Sequence, residues 1–379
     1  MIDIKQREKC CGCQACYNSC PRGAITMIED EYGFRYPKID KSKCINCKIC
    51  EKTFPMLIPS NDGKIISSWC VINKNDNERL ESSSGGVFTL LAKEILKNNG
   101  IVFGAVFDKD YNIVHSYIDN VDDLKKMQGS KYVQSNIGKS FIQAKNFLDD
   151  GKTVLFTGTS CQIEGLKLFL KKDYSNLYTQ DIICHGVPSP KVWRKYLEYQ
   201  KNKYGDIKNI SFRNKDHGWS LYQMKISFKS KIYCKCYKDD SFMNVFLDDL
   251  CLRDSCYNCI FKKKYRNSDI TLADFWGIDK VKNKYNDDKG VSAVIINTKK
   301  GENIFEKIKK YCNYEKVELN DIIKYNSAYV QSSKLNKNRE LFFKDINNMK
   351  FNRLAKKYIK KPSLLKKIVR KVYKKLKIK

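Results

Sequence analysis

The feature that most constrains this chain is a run of cysteines near its N-terminus, CCGCQACYNSCP at residues 10–21. The four that follow the pattern C-x2-C-x2-C-x3-C-P are Cys10, Cys13, Cys16 and Cys20. With this spacing a short loop wraps three thiolates around one iron–sulfur cube and sends the fourth cysteine to a second cluster. Zinc knuckles also use C-x2-C pairs, but a single tetrahedral ion explains this spacing poorly. The pattern therefore predicts a two-cluster ferredoxin-like domain over residues 1–57.

A second copy of this motif follows, and it is incomplete. Its cysteines are Cys44, Cys47 and Cys50. Where a fourth cysteine is expected, the chain has Phe54, followed by Pro55. Because the two copies exchange their fourth ligands, the second copy and Cys20 should complete one cluster. The first copy can then hold a three-iron cluster, a four-iron cluster with an unusual ligand, or none, unless Cys11 or Cys70 replaces the missing cysteine.

Composition indicates the setting in which these thiols work. No run of about eighteen apolar residues occurs, so no membrane-spanning helix is expected. The N-terminal MIDIKQREKC lacks the apolar centre of a signal peptide, which favours the cytoplasm. Thiols stay reduced there, so the seventeen cysteines are expected to be ligands rather than disulfides. The formal net charge of +30 favours anionic partners, such as acidic electron carriers or phosphorylated cofactors.

Much of the positive charge lies in a C-terminal tail, residues 352–379. It contains thirteen Lys and Arg residues and no Asp or Glu. From Leu364 onwards, apolar residues recur at helical spacing and basic residues fill the opposite face. This pattern predicts a basic amphipathic helix that contacts an anionic membrane surface. A solvated tail and an RNA-binding end are the alternatives, although the basic–aromatic interleaving of a known nucleic-acid module is missing, so nucleic acid is not expected.

Residues 65–350 have the pattern of a mixed α/β domain, which makes the whole chain α+β. Two apolar strands end in TGTSCQ and CHGVPSP, so Cys161 and Cys184 should lie at the same edge of the sheet. A further C-x2-C pair follows at Cys256 and Cys259. These four cysteines would make one four-thiolate site. Four thiolates suit either a cubane or zinc.

Other elements follow from hydrophobic periodicity. A hairpin is predicted from the strands at 101–107 and 112–118, a β-meander at 207–237, and mostly helix at 321–351. Before a predicted helix at 87–97 lies the sequence SSSGG, residues 82–86. Small residues at a helix start expose N–H groups that can bind phosphate. A nucleotide cradle and an ordinary serine N-cap both explain this stretch.

Taken together, these motifs resemble the coenzyme F420 hydrogenase/dehydrogenase beta-subunit family. The stretches that carry the resemblance, besides the cysteine-rich head, are SSSGGVF at 82–88, GSKYVQS at 129–135, TGTSCQ at 157–162, CHGVPSP at 184–190, SCYNC at 255–259 and SDITLADFWG at 268–277. More narrowly, the chain is similar to members that carry an N-terminal ferredoxin domain and accompany surface-polysaccharide genes. It departs from the family at Phe54, where cysteine is usual, and at Ser160, where proline is common and where only a turn should change.

The resemblance implies an FAD-containing iron–sulfur reductase. The residues that it suggests for FAD are Ser84, Gly85, Gly86, Gly129, Ser130, Lys131, Tyr132, Thr157, Gly158 and Thr159. It also favours a cubane over zinc at the C-terminal cysteines. Lys131 and His185 are candidate catalytic residues, as proton donors or anion partners, and His185 could instead bond to a cluster thiolate.

The function expected on these grounds is an oxidoreductase. It would pass electrons from a ferredoxin or similar donor through 4Fe-4S clusters to FAD and on to an organic acceptor. Coenzyme F420 and an intermediate of polysaccharide synthesis are the candidate acceptors. The alternative is an electron-transfer subunit of a larger dehydrogenase or hydrogenase complex with no substrate of its own.

Overall fold

The structure, a computed structural model, describes residues 4, 6–57 and 65–359. The predicted basic tail is therefore described only as far as residue 359. Its membrane-contacting part, from Leu364 onwards, lies outside the described residues.

The head is built from two short helices and a hairpin. Strands β1 (Ile25–Glu29) and β2 (Arg35–Ile39) pair in antiparallel register. Each cysteine motif leads into one short helix, α1 (Ala15–Ser19) in the first copy and α2 (Ile49–Lys52) in the second. The residues before them, Gln14 (φ 62°) and Lys48 (φ 59°), are both left-handed, so the two motif loops turn in the same way. The internal repeat in the sequence is thus a repeat in backbone conformation.

The remaining strands form two sheets. The larger is mixed and has the order β13-β3-β12-β11-β7-β6-β4-β5. Its strands are β3 (Ser67–Asn73), β4 (Ile101–Phe107), β5 (Ile113–Ile118), β6 (Val154–Thr157), β7 (Leu177–Ile182), β11 (Ile270–Asp274), β12 (Ser292–Ile296) and β13 (Cys312–Lys316). The smaller sheet is the predicted meander, β8 (Ile207–Asn214), β9 (Gln223–Phe228) and β10 (Ile232–Cys236). The mixed α/β architecture and the hairpin β4–β5 are confirmed.

Helices cover both faces of the large sheet. Those between β3 and β8 are α3 (Asp76–Glu81), α4 (Val87–Leu96), α5 (Ser140–Asp149), α6 (Ser160–Leu170) and α7 (Pro190–Tyr204). Those that follow β10 are α8 (Ser241–Leu247), α9 (Ile278–Val281), α10 (Lys299–Lys309), α11 (Leu319–Tyr325), α12 (Arg339–Asp345) and α13 (Phe351–Tyr358).

Strand alternation divides the core of the large sheet between these helices. In β4, Val102 packs with α4 and α10, whereas Ile101 and Phe103 pack with α5 and α6. Successive side chains of a strand point to opposite faces, which produces this division. The head joins the second face, because Cys13 and Ala15 belong to the same apolar cluster as α5 and α6.

The prediction of mostly helix at 321–351 is only partly correct. Helices α11 and α12 are separated by residues 326–338, which hold one short 3-10 helix, Ser327–Tyr329, and otherwise irregular backbone. Beyond the turn bonds among residues 326–331, this segment bonds to neighbouring loops. Ser332 Oγ accepts the Cys259 N–H at 2.9 Å, and Ser333 Oγ donates to the His185 carbonyl at 2.6 Å. Contacts distant in sequence thus replace the local bonds that a helix requires.

We expect Gly165→Ala to destabilise the protein by about 1–3 kcal/mol, because it overpacks the contact between head and α6. A Cβ at Gly165 would lie 2.9 Å from both Cβ and Sγ of Cys13. In an open helix interior the same change should stabilise the protein by about 1 kcal/mol. The sign of the stability change therefore shows whether an alanine at Gly165 is overpacked. Thermal unfolding under anaerobic conditions measures it, and a more stable variant would contradict this packing.

Candidate functional site

The second cysteine copy and Cys20 surround one cavity in the head. Its lining includes the four thiols that the crossed arrangement assigns to one cluster, Cys20, Cys44, Cys47 and Cys50. The backbone N–H of Ala24 donates to Cys20 Sγ at 3.3 Å. Four cysteines around a single cavity fit a cubane. Cys47 is exposed, so this site reaches the protein surface.

The first copy differs, because an aromatic ring occupies its corner. Phe54 is only 5% exposed and packs with Cys10, Cys16 and Ile25 in one apolar cluster. Burial, together with the neighbouring Cys10, raises the pKa of Cys16 to about 12. Cys13 contacts the opposite face, towards α6. The three cysteines of this copy therefore have a phenyl ring where a fourth thiol would stand.

Neither proposed replacement ligand joins Cys10 and Cys16. Cys70 lies in β3, opposite Ala293 of β12, and packs with Trp219 in the core of the large sheet. That position rules it out as a ligand of the head. Cys11 follows Cys10, whose backbone is extended, and its thiol lines a second cavity.

The four C-terminal cysteines line this second cavity. Its lining includes five thiols, Cys11, Cys161, Cys184, Cys256 and Cys259. Strands β6 and β7 are parallel neighbours, so their carboxyl ends bring Cys161 and Cys184 to one edge. Two further bonds reach thiols of the set: Thr159 Oγ1 lies 3.1 Å from Cys161 Sγ, and the Val187 N–H donates to Cys256 Sγ at 3.5 Å.

The arrangement of these thiols indicates whether zinc or an iron–sulfur cluster fits the cavity. Within residues 6–57 and 65–359, no three His, Cys, Asp or Glu side chains converge closely enough to hold a single metal ion. The cysteines instead surround a volume, which a cube of iron and sulfide requires and one zinc ion does not. Burial raises the pKa of Cys184 to about 12, while Lys262 and Arg266 beside it favour the thiolate. The donor set fits an iron–sulfur cluster.

Ser160 has a larger role than the small change in a turn expected from the sequence. Its Oγ donates to Asp181 Oδ2 at 2.6 Å and accepts from Arg266. Arg266 also pairs with Asp181 at 3.0 Å, and both side chains are buried. A proline at position 160 could make neither bond. The hydroxyl therefore completes a buried ion-pair network beside the cysteine cavity.

His185 is held next to Cys184 by polar partners and a ring. Its Nε2 lies 2.6 Å from Asp249 Oδ1, and Asp249 itself has a left-handed backbone (φ 57°). The imidazole meets Phe246 edge-on at 5.1 Å, and Phe246 stacks on Tyr132 at 5.2 Å. These rings connect the cysteine site to the loop that starts at Gly129. The catalytic role of His185 stays a prediction.

Part of the predicted FAD set comes together around the serine-rich loop. Ser83 Oγ accepts both the N–H (2.6 Å) and the hydroxyl (2.7 Å) of Ser130. Gly86 is the residue that caps α4, in a left-handed conformation and without a side-chain capping bond. The serine N-cap alternative is therefore wrong. Gly129 (φ 77°) has open space where a Cβ would lie, as a backbone that approaches a ligand requires.

The other predicted FAD residues serve different contacts. A Cβ at Gly85 would lie 2.4 Å from the Val71 carbonyl oxygen, so this glycine lets the loop pack on β3. Ser84 Oγ donates to the Val291 carbonyl at 2.7 Å. In the TGT segment, Thr157 Oγ1 donates to the Phe103 carbonyl and the Gly158 N–H donates to the Gln180 carbonyl. Thr159 caps α6 next to Cys161. The TGT segment thus supports the sheet and the cysteine cavity.

Lys131 lies in a buried turn of its own loop. Its Nζ is within 3.2–3.4 Å of the carbonyl oxygens of Met127, Gln128 and Gly129. Burial lowers the pKa of Lys131 to about 7, a value that suits proton donation near neutral pH. Its catalytic role also stays a prediction.

Sequence reasoning missed Arg213, the residue that best tests whether a flavin fits. Its guanidinium bonds to Asp274 and to the Tyr132 hydroxyl (3.3 Å), and lies over the rings of Tyr222 (4.3 Å) and Trp276 (5.4 Å). Nε and Nη2 are buried and have no hydrogen-bond partner among the described residues. Buried donors are normally satisfied, so a ligand with acceptor oxygens, such as the phosphates of a nucleotide, fits this position. The nearby DFWG sequence, which holds Asp274 and Trp276, was the available signal.

Comparison with known proteins agrees with this geometry. Residues 151–322, which hold all four C-terminal cysteines, match the family described as the C terminus of the coenzyme F420 hydrogenase/dehydrogenase beta subunit. Residues 9–55 match the 4Fe-4S dicluster domain. The chain therefore carries a domain of the coenzyme F420 hydrogenase/dehydrogenase beta-subunit family, and an iron–sulfur domain of the 4Fe-4S dicluster type precedes it. The narrower likeness to members that accompany polysaccharide genes stays a prediction.

Two curated relatives of this chain come from Methanocaldococcus jannaschii. A coenzyme F420-dependent sulfite reductase is 25% identical over 332 residues, which are 83% of this chain and 49% of the relative. An uncharacterized ferredoxin is 44% identical over 52 residues, 14% of this chain and 66% of the ferredoxin. The chain thus spans about half the length of the sulfite reductase.

One solved structure that resembles this chain belongs to the F420-reducing [NiFe] hydrogenase complex from Methanosarcina barkeri. It has 16% sequence identity and a TM-score of 0.49, and the match covers 76% of this chain and 95% of that chain. Among the residues that our structure describes, no helix is both long enough and apolar enough to span a bilayer.

Proposed function

We propose that this chain is an iron–sulfur flavoprotein that moves electrons between a one-electron carrier protein and an organic acceptor. What supports this most directly is the placement of two cysteine-lined cavities, one open to the surface of the head and one beside the loops around Arg213. When bound, the clusters would carry single electrons, and a flavin would supply two-electron chemistry with the acceptor.

The residues of the chain would position these groups. The head cysteines would hold one or two clusters and the C-terminal cysteines one. Arg213, with its free donors, and the open backbone at Gly129 would bind the anionic part of FAD. Lys131 would hold or release a proton near neutral pH, and Asp249 would fix the orientation of the His185 ring.

Coenzyme F420 is the first acceptor to test. The family is named for it, and so is the sulfite reductase that is 25% identical to this chain. A polysaccharide-pathway intermediate is the second, on the narrower likeness alone. A ferredoxin-type carrier is proposed as the donor.

A second function has support of its own, namely an electron-transfer subunit without a substrate. The chain corresponds to only 49% of the sulfite reductase, so the remaining half of that protein has no counterpart in the match. In that case the partner would be a larger reductase or dehydrogenase subunit. The test is turnover: the isolated chain should reduce coenzyme F420 with a ferredoxin donor if it is a reductase, and should not if it is a subunit of this kind.

Anaerobic purification tests both proposals together. We expect about eight to twelve iron atoms per chain, with bound FAD. Zinc in place of iron, without flavin, would contradict both functions and would favour a zinc-stabilised structural role.

Electrons are proposed to enter through the exposed wall of the head cavity. Cys47 is exposed there, and Ile45 beside it is 61% exposed. Arg22 and Lys48 line the same cavity and are also exposed. An apolar surface with basic side chains around it suits an acidic carrier protein, because opposite charges steer association.

Reversing the charge of this rim should weaken the use of an acidic ferredoxin. We expect the double variant R22E/K48E to raise the KM for that carrier about 10-fold or more at low salt and to lose most of its salt dependence, since rim charges act mainly on association. Stopped-flow reduction measures this. The variant K307E/K316E makes the same charge change at exposed lysines outside the head and should behave like the wild type. Equal effects of the two variants would place the carrier elsewhere.

A further inference from the structure

Arg253 is a fully buried arginine at the contact between the head and the rest of the chain. Its Nε donates to the Cys10 carbonyl at 2.7 Å, Nη2 to the Arg35 carbonyl at 3.1 Å, and Nη1 to Gln134 Oε1 at 3.0 Å. All three acceptors are neutral. The hydrogen bonds of the guanidinium are thus satisfied, but its charge is not balanced by them.

No carboxylate among the described residues pairs with this cation within 4.0 Å. The adjacent Asp254 is bonded to a different arginine, Arg339, at 2.8 Å. The guanidinium lies instead over the rings of Tyr36 (4.2 Å) and Phe34 (5.4 Å). An unpaired buried charge is strongly destabilising, so a chain that keeps one needs a negative group nearby.

On the head side, the cation contacts the first cysteine copy. Arg253 bonds to the backbone of Cys10, and Gln134, which it also holds, donates to the Cys11 carbonyl at 3.1 Å. Gly12 lets the guanidinium of Arg253 lie against the motif loop, since a Cβ at Gly12 would lie 2.9 Å from the guanidinium carbon. The motif loop is therefore wrapped around the cation.

On the other side, Arg253 belongs to the loop that carries Cys256. The Cys256 N–H donates to the Arg253 carbonyl at 2.9 Å. The Arg253 N–H donates to the carbonyl of Val187, whose own N–H bonds to Cys256 Sγ. Arg253 therefore contacts both cysteine sets, the first copy through its side chain and the C-terminal set through its backbone.

We propose that Arg253 is the shared counter-ion of two iron–sulfur clusters, the one held by the first cysteine copy and the one held by the C-terminal cysteines, and that it raises the reduction potential of both. The inference rests on the proposed iron–sulfur function. A cluster held by three or four thiolates is anionic, and reduction adds a further negative charge. A buried cation stabilises the reduced form more than the oxidised form, and a low dielectric strengthens the effect.

The test compares reduction potentials in anaerobically purified full-length variants. R253M and R253Q remove the charge and should shift the potentials of both clusters to lower values in an EPR-monitored redox titration. R253K keeps the charge and should stay close to the wild type. The control R339M/D254N removes a buried arginine together with its carboxylate, a neutral pair, and should leave the potentials unchanged.

Each outcome decides the inference. If R253M and R253Q bind iron normally and keep wild-type potentials, the inference is wrong. If both neutral variants fail to assemble clusters while R253K succeeds, the charge itself is required, which supports it. If R253K fails as well, Arg253 is a structural residue and the inference is overturned. A wild-type protein without iron would instead disprove the proposed function, so the two failures can be told apart.

Discussion

Cys256→Ser is expected to remove the C-terminal cluster, with a loss of about four iron atoms per chain and of the matching visible absorbance. Serine has nearly the same shape as cysteine but is a poor ligand for iron. Cys256 is one of the five thiols that line the C-terminal cavity, where Val187 N–H bonds to its sulfur. Electrons from the head should then no longer reduce the bound flavin. Iron analysis and anaerobic stopped-flow absorbance measure the two effects.

The matched control is Cys251→Ser, five residues earlier in the chain. Cys251 is fully buried and packs with Leu250 and Leu252 in an apolar cluster, and it does not belong to the lining of the cavity. We expect C251S to keep its iron and its electron transfer, although it can be less stable. Unchanged iron in C256S, or equal loss in both variants, would contradict the assigned ligand set.

The second large effect is expected from Phe54→Cys, which supplies the thiol missing from the first cysteine copy. If the wild type holds a three-iron cluster there, the variant should gain about one iron atom and exchange a three-iron EPR signal for a four-iron one. Phe54 is buried against Cys10 and Cys16, so a thiol at this position would lie next to these two cysteines. Iron content and EPR spectra of the oxidised and reduced protein measure the change.

Phe54→Ser is the control for this experiment. It creates the same space without a ligand, and both variants should lose stability, since removing a buried phenyl ring costs about 3–5 kcal/mol. Binding of the added thiol to iron should return part of that stability in F54C alone. If F54C and F54S have the same iron content and spectra, Phe54 does not stand in a ligand position.

Much of the fold followed from local patterns, and the failures have identifiable causes. The hairpin β4–β5, the strands β6 and β7 and the meander were predicted because alternation and turn residues act over a few positions. Periodicity also predicts helix over residues 326–338, yet that segment bonds to Cys259 and His185, which are distant in sequence. The larger role of Ser160 was missed because its partners, Asp181 and Arg266, could not be recognised from the sequence.

Some of the proposed cofactor residues were found from the sequence, and others were missed. The serine and glycine loops were found through short motifs, and the structure joins Ser83 to Ser130. Arg213 and Arg253 were missed, because a single arginine has no local signature that separates a buried cation from an exposed one. Their importance comes from what surrounds them: unpaired donors in the first case and neutral acceptors without a carboxylate in the second.

The sequence by itself determined which cysteines can be ligands, because a loop that wraps a cluster must space its thiols within one or two turns of backbone. It also determined that position 54 lacks one. Only the tertiary structure decided which thiols share a cavity. Neighbouring side chains on extended backbone point to opposite sides, so Cys10 joins the head while Cys11 reaches the C-terminal cysteines. The contact between these two sites, with Arg253 inside it, exists only because α6 and the head pack together.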